Sequence, residues 1–137
     1  MNKKIFTITS ILICSAVIGF GVFYFTYIAT NNKILEEVRN TEIKDIDLTQ
    51  VADGDYIGDF SYSKSYCKVE VTVKNHKIED IKILKNSKSA HGKKAEAVIS
   101  KIIEEQKNNV DVISGATTTS KALLKAVESA LSSGLAK

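Results

Sequence analysis

A chain of 137 residues has room for one modest domain, and a 24-residue run without charge or proline, Ile5 to Ile28, takes part of that length. The 109 residues from Ala29 to Lys137 exclude any fold that needs about 200 residues or more, such as a barrel of alternating strands and helices. The net charge of +3 owes two of its positives to Lys3 and Lys4, so the rest is close to neutral and has no basic stripe for nucleic acid.

The apolar run, as a helix, extends roughly 36 Å and can span a hydrocarbon core of about 30 Å with some tilt. A cleaved signal peptide has a shorter apolar region and a small-x-small site, which this segment matches poorly. Ile13 stands where a lipobox places a small residue, which argues against lipidation of Cys14. The segment reads as an anchor over residues 5–28 behind a cytoplasmic tip at 1–4, and Lys3 and Lys4 predict that the C-terminal part lies outside the cytoplasm. Cys14 in the anchor and Cys67 in the outer part make no framework disulfide.

Residues 29–50 read as a juxtamembrane linker, with a short amphipathic helix over Lys33–Thr41 followed by an acidic connector, and the domain is expected over 51–134. Turn chemistry at Asp53-Gly54-Asp55 precedes the alternating Tyr56, Gly58, Phe60 and Tyr62, a first strand. In the second, Cys67, Val69, Val71 and Val73 share one face, which makes Cys67 a core residue. Asn75-His76 is a tight turn leading into a third, antiparallel strand, Lys77–Leu84. After a polar loop the period changes to 3.6 over Lys93–Gln106, with Ala95, Val98, Ile99, Ile102 and Ile103 on one face, and Asn108-Asn109 breaks that helix. A last helix over Thr118–Ser132 buries Leu123, Leu124, Val127 and Leu131. The sum is an α+β domain, a small antiparallel sheet with two helices packed on one face, behind one transmembrane helix.

The passage from Asp111 to Ser120, DVISGATTTS, sets a run of hydroxyls and one glycine before the last helix. The first N–H groups of a helix have no internal partner and the dipole there favours negative charge, so this is a place for a phosphate, and a hydroxyl side chain there can itself be esterified. The same residue types are preferred as helix N-caps, a role that needs no ligand. His76 and His91 have no motif context for a triad, a zinc site or a haem; no Walker loop exists, and Thr118-x-x-Lys121 lacks the companion motifs of penicillin-recognising enzymes.

Asp111, Val112, Ile113, Ser114, Gly115, Ala116 and Thr117 match a flavinylation motif of Asp, two variable residues, Ser or Thr, Gly, Ala, then Ser or Thr, a match that is rare by average residue usage. With the start Asp53, Gly54, Tyr56 and Gly58, the valine-rich strands and Gly92 to Glu96 (GKKAE), the chain resembles the FMN-binding domain family over about Asp53–Leu131. Members of that family include the flavin-carrying subunits of sodium-pumping NADH:quinone oxidoreductase and related ferredoxin-oxidising complexes. The resemblance implies that Thr117 bears FMN through a phosphoester installed from FAD by a separate flavin transferase outside the cytoplasm. Asp111, Ser114, Gly115 and Ala116 would surround the acceptor, Lys121 would help balance charge, and Thr118 and Thr119 are competing hydroxyls.

Asn75-His76 departs from the family's more usual Asp-Gly turn, and the loop Ser87–His91 is less glycine-rich than in many relatives. Tyr56, Phe60, Tyr62 and Tyr66 are candidates to stack on the flavin as well as ordinary sheet residues. The functional expectation is a membrane-anchored extracytoplasmic flavoprotein passing electrons between a membrane donor and an outer acceptor, a carrier more than an enzyme with its own substrate. The alternatives are a non-redox exported ligand-binding or assembly module of the same fold, with Thr117 only capping a helix, and a domain holding FMN without the ester. The lack of proline and the abundance of Lys, Ile and Asn fit an AT-rich bacterial genome.

Overall fold

The structure, a computed structural model, describes residues 2–135. Its first element is a long helix, α1 (Asn2–Asn40), and the chain divides into two compact units between Ile34 and Leu35. The first unit is helical and apolar, with a mean hydropathy of 2.3 and no buried residues in its most apolar window, so it is long and apolar enough to cross a membrane once. Its threonines donate back into the helix: Thr7 Oγ1 to Lys3 O at 2.7 Å and Thr26 Oγ1 to Val22 O at 2.9 Å, so these hydroxyls do not need water.

The second unit is an antiparallel meander, β1 (Gly54–Tyr62), β2 (Ser65–Lys74) and β3 (Lys77–Lys85) in the order β1-β2-β3, followed by α2 (Ala90–Ala95), α3 (Ala97–Glu105) and α4 (Thr117–Ser133). Alternation sets the register: Gly58 pairs with Val69 and Val71 with Ile81, so the apolar set of each strand falls on one face. Asn75 and His76 both take the left-handed conformation (φ 52° and 58°), as a two-residue turn matching strand twist requires, and the usual glycine is not needed. The His76 ring is also held, with Nδ1 3.2 Å from Val51 O.

Cys67, Val69, Val71 and Val73 of β2 and Ile78 and Ile81 of β3 are buried together with Val98 and Ile102 of α3 and the apolar stripe of α4, from Ala122 to Leu131. α4 lies across β1 and β2, and α3 packs on β3. Gly58 permits that approach: a Cβ there would stand 2.0 Å from Ala126 O and 2.3 Å from Ala130 N. Burial pushes the Cys67 thiol up to about 11, and Sγ donates to Ala122 O at 3.2 Å, so this cysteine is a packing residue.

The α+β architecture is as expected, but the single helix predicted over Lys93–Gln106 is two. Ser89 caps an earlier start, its Oγ accepting from Gly92 N at 3.1 Å, and the chain tightens at Glu96, whose N–H turns back to Lys93 O. The stop also precedes Asn108-Asn109: Gln106 is left-handed (φ 53°), and its side-chain amide pairs with both Ile78 N and Ile78 O, at 2.8 and 2.9 Å. Val110–Ile113 forms no regular element.

Within the stretch read as a linker, residues from Leu35 onward lie in the compact unit. Val38 and Ile43 are buried in the core, and Val51 forms a bridge with Leu135. Asn108, fully buried, clamps the connector by accepting from Ile46 N at 2.8 Å and donating to Lys44 O, while Glu128 Oε2 accepts from Lys44 N at 3.0 Å.

Candidate functional site

The loop between α3 and α4 is stitched by its own backbone and one hydroxyl. Ala116 N donates to Ile113 O at 2.9 Å, Ser120 N to Ala116 O at 2.9 Å, and Ile113 N to Ser120 Oγ at 3.2 Å. Gly115 turns the chain at φ 77°, a conformation costly for residues with a Cβ. As a result Ala116, not a hydroxyl residue, occupies the N-cap of α4, and no side chain caps the helix. The first-turn N–H groups of Thr117, Thr118 and Thr119 are therefore left without a side-chain partner at the positive end of a 17-residue helix. Plain capping, the role that asks for no ligand, is not what these hydroxyls do here.

A cavity of about 340 Å³ opens at this point, lined by Gly115, Ala116, Thr117, Thr118 and Thr119 from the loop and helix start. Tyr62 and Ser65 line it from the β1-β2 hairpin, Ser87, Ser89 and His91 from the α2 entry, and Leu35 and Arg39 from the end of α1. The volume falls among those of ligand clefts, about 300–1,000 Å³. His91 Nδ1 lies 2.9 Å from Gly115 O; a carbonyl only accepts, so Nδ1 carries the proton. Arg39 Nε donates to Thr118 Oγ1 at 3.0 Å, and Arg39 Nη1 pairs with Glu36 Oε1 at 2.8 Å. Lys94 Nζ stands 3.1 Å from where a Gly115 Cβ would be.

Of the residues singled out from sequence, Thr117, Thr118, Gly115 and Ala116 come together on the cavity wall, whereas Asp111, Ser114 and Lys121 are not among its lining. Lys121 instead donates to Thr41 O at 3.0 Å, tying α4 to the end of α1, and Asp111 O accepts from Lys101 Nζ at 3.3 Å. Among the four aromatic candidates only Tyr62 faces the cavity. Phe60 stacks on Tyr62 at 6.3 Å, Tyr56 donates its hydroxyl to Ala52 O at 2.8 Å, and Tyr66 lies under Lys85 Nζ at 5.2 Å. Sequence reasoning missed Arg39, Leu35 and Ser65. The Leu35–Val38 spacing was the only local hint that this helical turn packs, and nothing local says against what.

Three hydroxyls at an uncapped helix start, a neighbouring guanidinium and the apolar Leu35, Tyr62 and Ala116 line one cavity, and this donor set and apolar surface fit the phosphate and ring system of a flavin mononucleotide. A family model, the FMN-binding domain, matches residues 64–132, just over half of the chain, and the chain belongs to that family. No curated protein matches the chain. The protein is an FMN-binding domain behind an N-terminal helix that can serve as a single-pass membrane anchor.

Proposed function

We propose that this protein carries FMN covalently, through a phosphoester to Thr117, and passes electrons between a donor in the membrane and an acceptor outside the cytoplasm. The observation that carries the reading is the free acceptor at the helix start. Thr118 Oγ1 is engaged by Arg39, Thr119 is buried, and Ser120 Oγ is fully buried against Ile113 N. Among the described residues Thr117 Oγ1 takes no hydrogen bond, and it lines the cavity. Thr119 Oγ1 is likewise unbonded and also lines the cavity, but its residue is buried whereas Thr117 is half-buried, so Thr117 is the more open of the two unbonded hydroxyls, and it sits at motif position.

When bound, FMN supplies the redox chemistry, and the protein supplies tethering, orientation and tuning. The ester forms between Thr117 Oγ1 and the flavin phosphorus of FAD, with AMP leaving and the threonine proton going to the transferase's base. The uncapped N–H groups of α4 would hold the phosphate, and Tyr62 and Leu35 would offer apolar surface to the rest of the cofactor. A tether outside the cytoplasm keeps one flavin per chain whatever the free FMN concentration. Lys3 and Lys4 beside the apolar run support placing the domain outside.

The test is denaturing in-gel flavin fluorescence on the full chain, made with and without a flavin transferase. The proposal expects a fluorescent band that needs the transferase and is lost in Thr117→Ala. A chain that stays dark with the transferase present overturns the covalent reading, and colour released on denaturation would show reversible FMN binding in its place.

A further inference from the structure

Resting on that flavin reading, we infer that Arg39 is the cation that holds the flavin phosphate, and that the helical turn Leu35–Asn40 is a working part of the site. Arg39 lies outside the residues 64–132 matched by the family, at the end of α1, yet its guanidinium reaches the helix start that carries the acceptor. The turn is fixed in place by its neighbours: Val38 is buried in the core, Leu35 lines the cavity, and Lys121 Nζ donates to Thr41 O at 3.0 Å just beyond it. Two of the five guanidinium N–H donors are spent on orientation, Nε on Thr118 and one Nη1 hydrogen on Glu36. Glu36 is exposed and offsets part of the charge, but it also fixes the plane of the fork.

Arg39 lines the cavity, and its Nε contact is to Thr118, one residue along from Thr117. A planar fork with spare N–H groups suits a phosphate, which a lysine meets only as a point charge. The contact to Thr118 Oγ1 has a second effect: it occupies the hydroxyl adjacent to the acceptor and directs esterification to Thr117. Lys94, across the loop beside Gly115, adds positive potential.

The experiment uses the full chain in detergent with a flavin transferase, comparing wild type with Arg39→Gln and Arg39→Lys, and reads covalent flavin per chain against time together with thermal melting. The expected result is labelling roughly tenfold slower in Arg39→Gln, partial recovery in Arg39→Lys, and melting curves that coincide, because an exposed arginine contributes little to stability. Equal labelling rates for wild type and Arg39→Gln overturn the inference. If wild type itself takes no covalent flavin, the covalent reading fails and Arg39 is judged separately, by reversible binding of FMN against riboflavin to the same chains. A preference for FMN that falls about tenfold in Arg39→Gln supports the assignment. Equal preference in the two chains, or no binding by either, overturns it.

Discussion

The imidazole of His91 is bonded through Nδ1 to the carbonyl oxygen of Gly115 at 2.9 Å, which ties the start of α2 to the loop that delivers Thr117. Replacing His91 with Ala removes that tie without touching the core, because His91 is exposed. Exchange of the Ala116 amide, bonded to Ile113 O at 2.9 Å, is expected to quicken about fivefold, the equivalent of roughly 1 kcal/mol, while global melting changes little. Amide-resolved hydrogen exchange reads both; unchanged protection at Ala116 would show that the loop holds without His91.

Gly58 sets how closely α4 approaches the sheet. Gly58→Ala is expected to cost on the order of 3 kcal/mol in urea denaturation, because its Cβ would stand 2.0 Å from Ala126 O. Trimming the neighbour with Ala130→Gly is not expected to rescue it, since the closest atoms belong to the helix backbone. Full rescue by that second change would contradict the account of the contact.

Asn108 holds the connector that precedes β1. Asn108→Ala leaves Ile46 N and Lys44 O without the partner that now serves both, at a cost of about 3 kcal/mol, and lowers the melting temperature on the order of 10–20 °C. Trypsin is expected to cut at Lys44 in the variant well before it does so in wild type. Equal cleavage would mean that residues 43–50 are held by other contacts.

The meander and the core stripe of α4 are legible in the sequence because each is a local period: Val69, Val71 and Val73 alternate, and Leu123, Leu124, Val127 and Leu131 recur on one helical face. What escapes is held at long range. Asn108 reaches Ile46, Lys121 reaches Thr41 and Arg39 reaches Thr118, and none of these partners leaves a mark in its own neighbourhood of sequence. The acceptor loop was found through its motif, but the absence of a capping side chain depends on Ala116 taking the cap, which residue preferences alone would have given to a Ser or Thr.

The turn between β2 and β3 predicts a pH effect. Backbone N–H groups of Asn75 and His76 donate to the Asp53 carboxylate and hold it below its ordinary 3.8. A carboxyl whose folded value is depressed contributes stability that is complete above the unfolded value and is lost as pH falls through the folded one. The melting difference between wild type and Asp53→Asn is therefore expected to be constant from neutrality down to about pH 5 and to shrink below about pH 4. A difference that persists undiminished in acid would place the effect elsewhere than in the carboxylate charge.

The identity of the acceptor is tested most directly by mass spectrometry of the tryptic peptide spanning 108–121, from full chain matured with a flavin transferase. The account predicts a mass increase of FMN less one water, with fragment ions placing it on Thr117 and not on Ser114, Thr118, Thr119 or Ser120. An unmodified peptide, or the same mass on another of these hydroxyls, would contradict it.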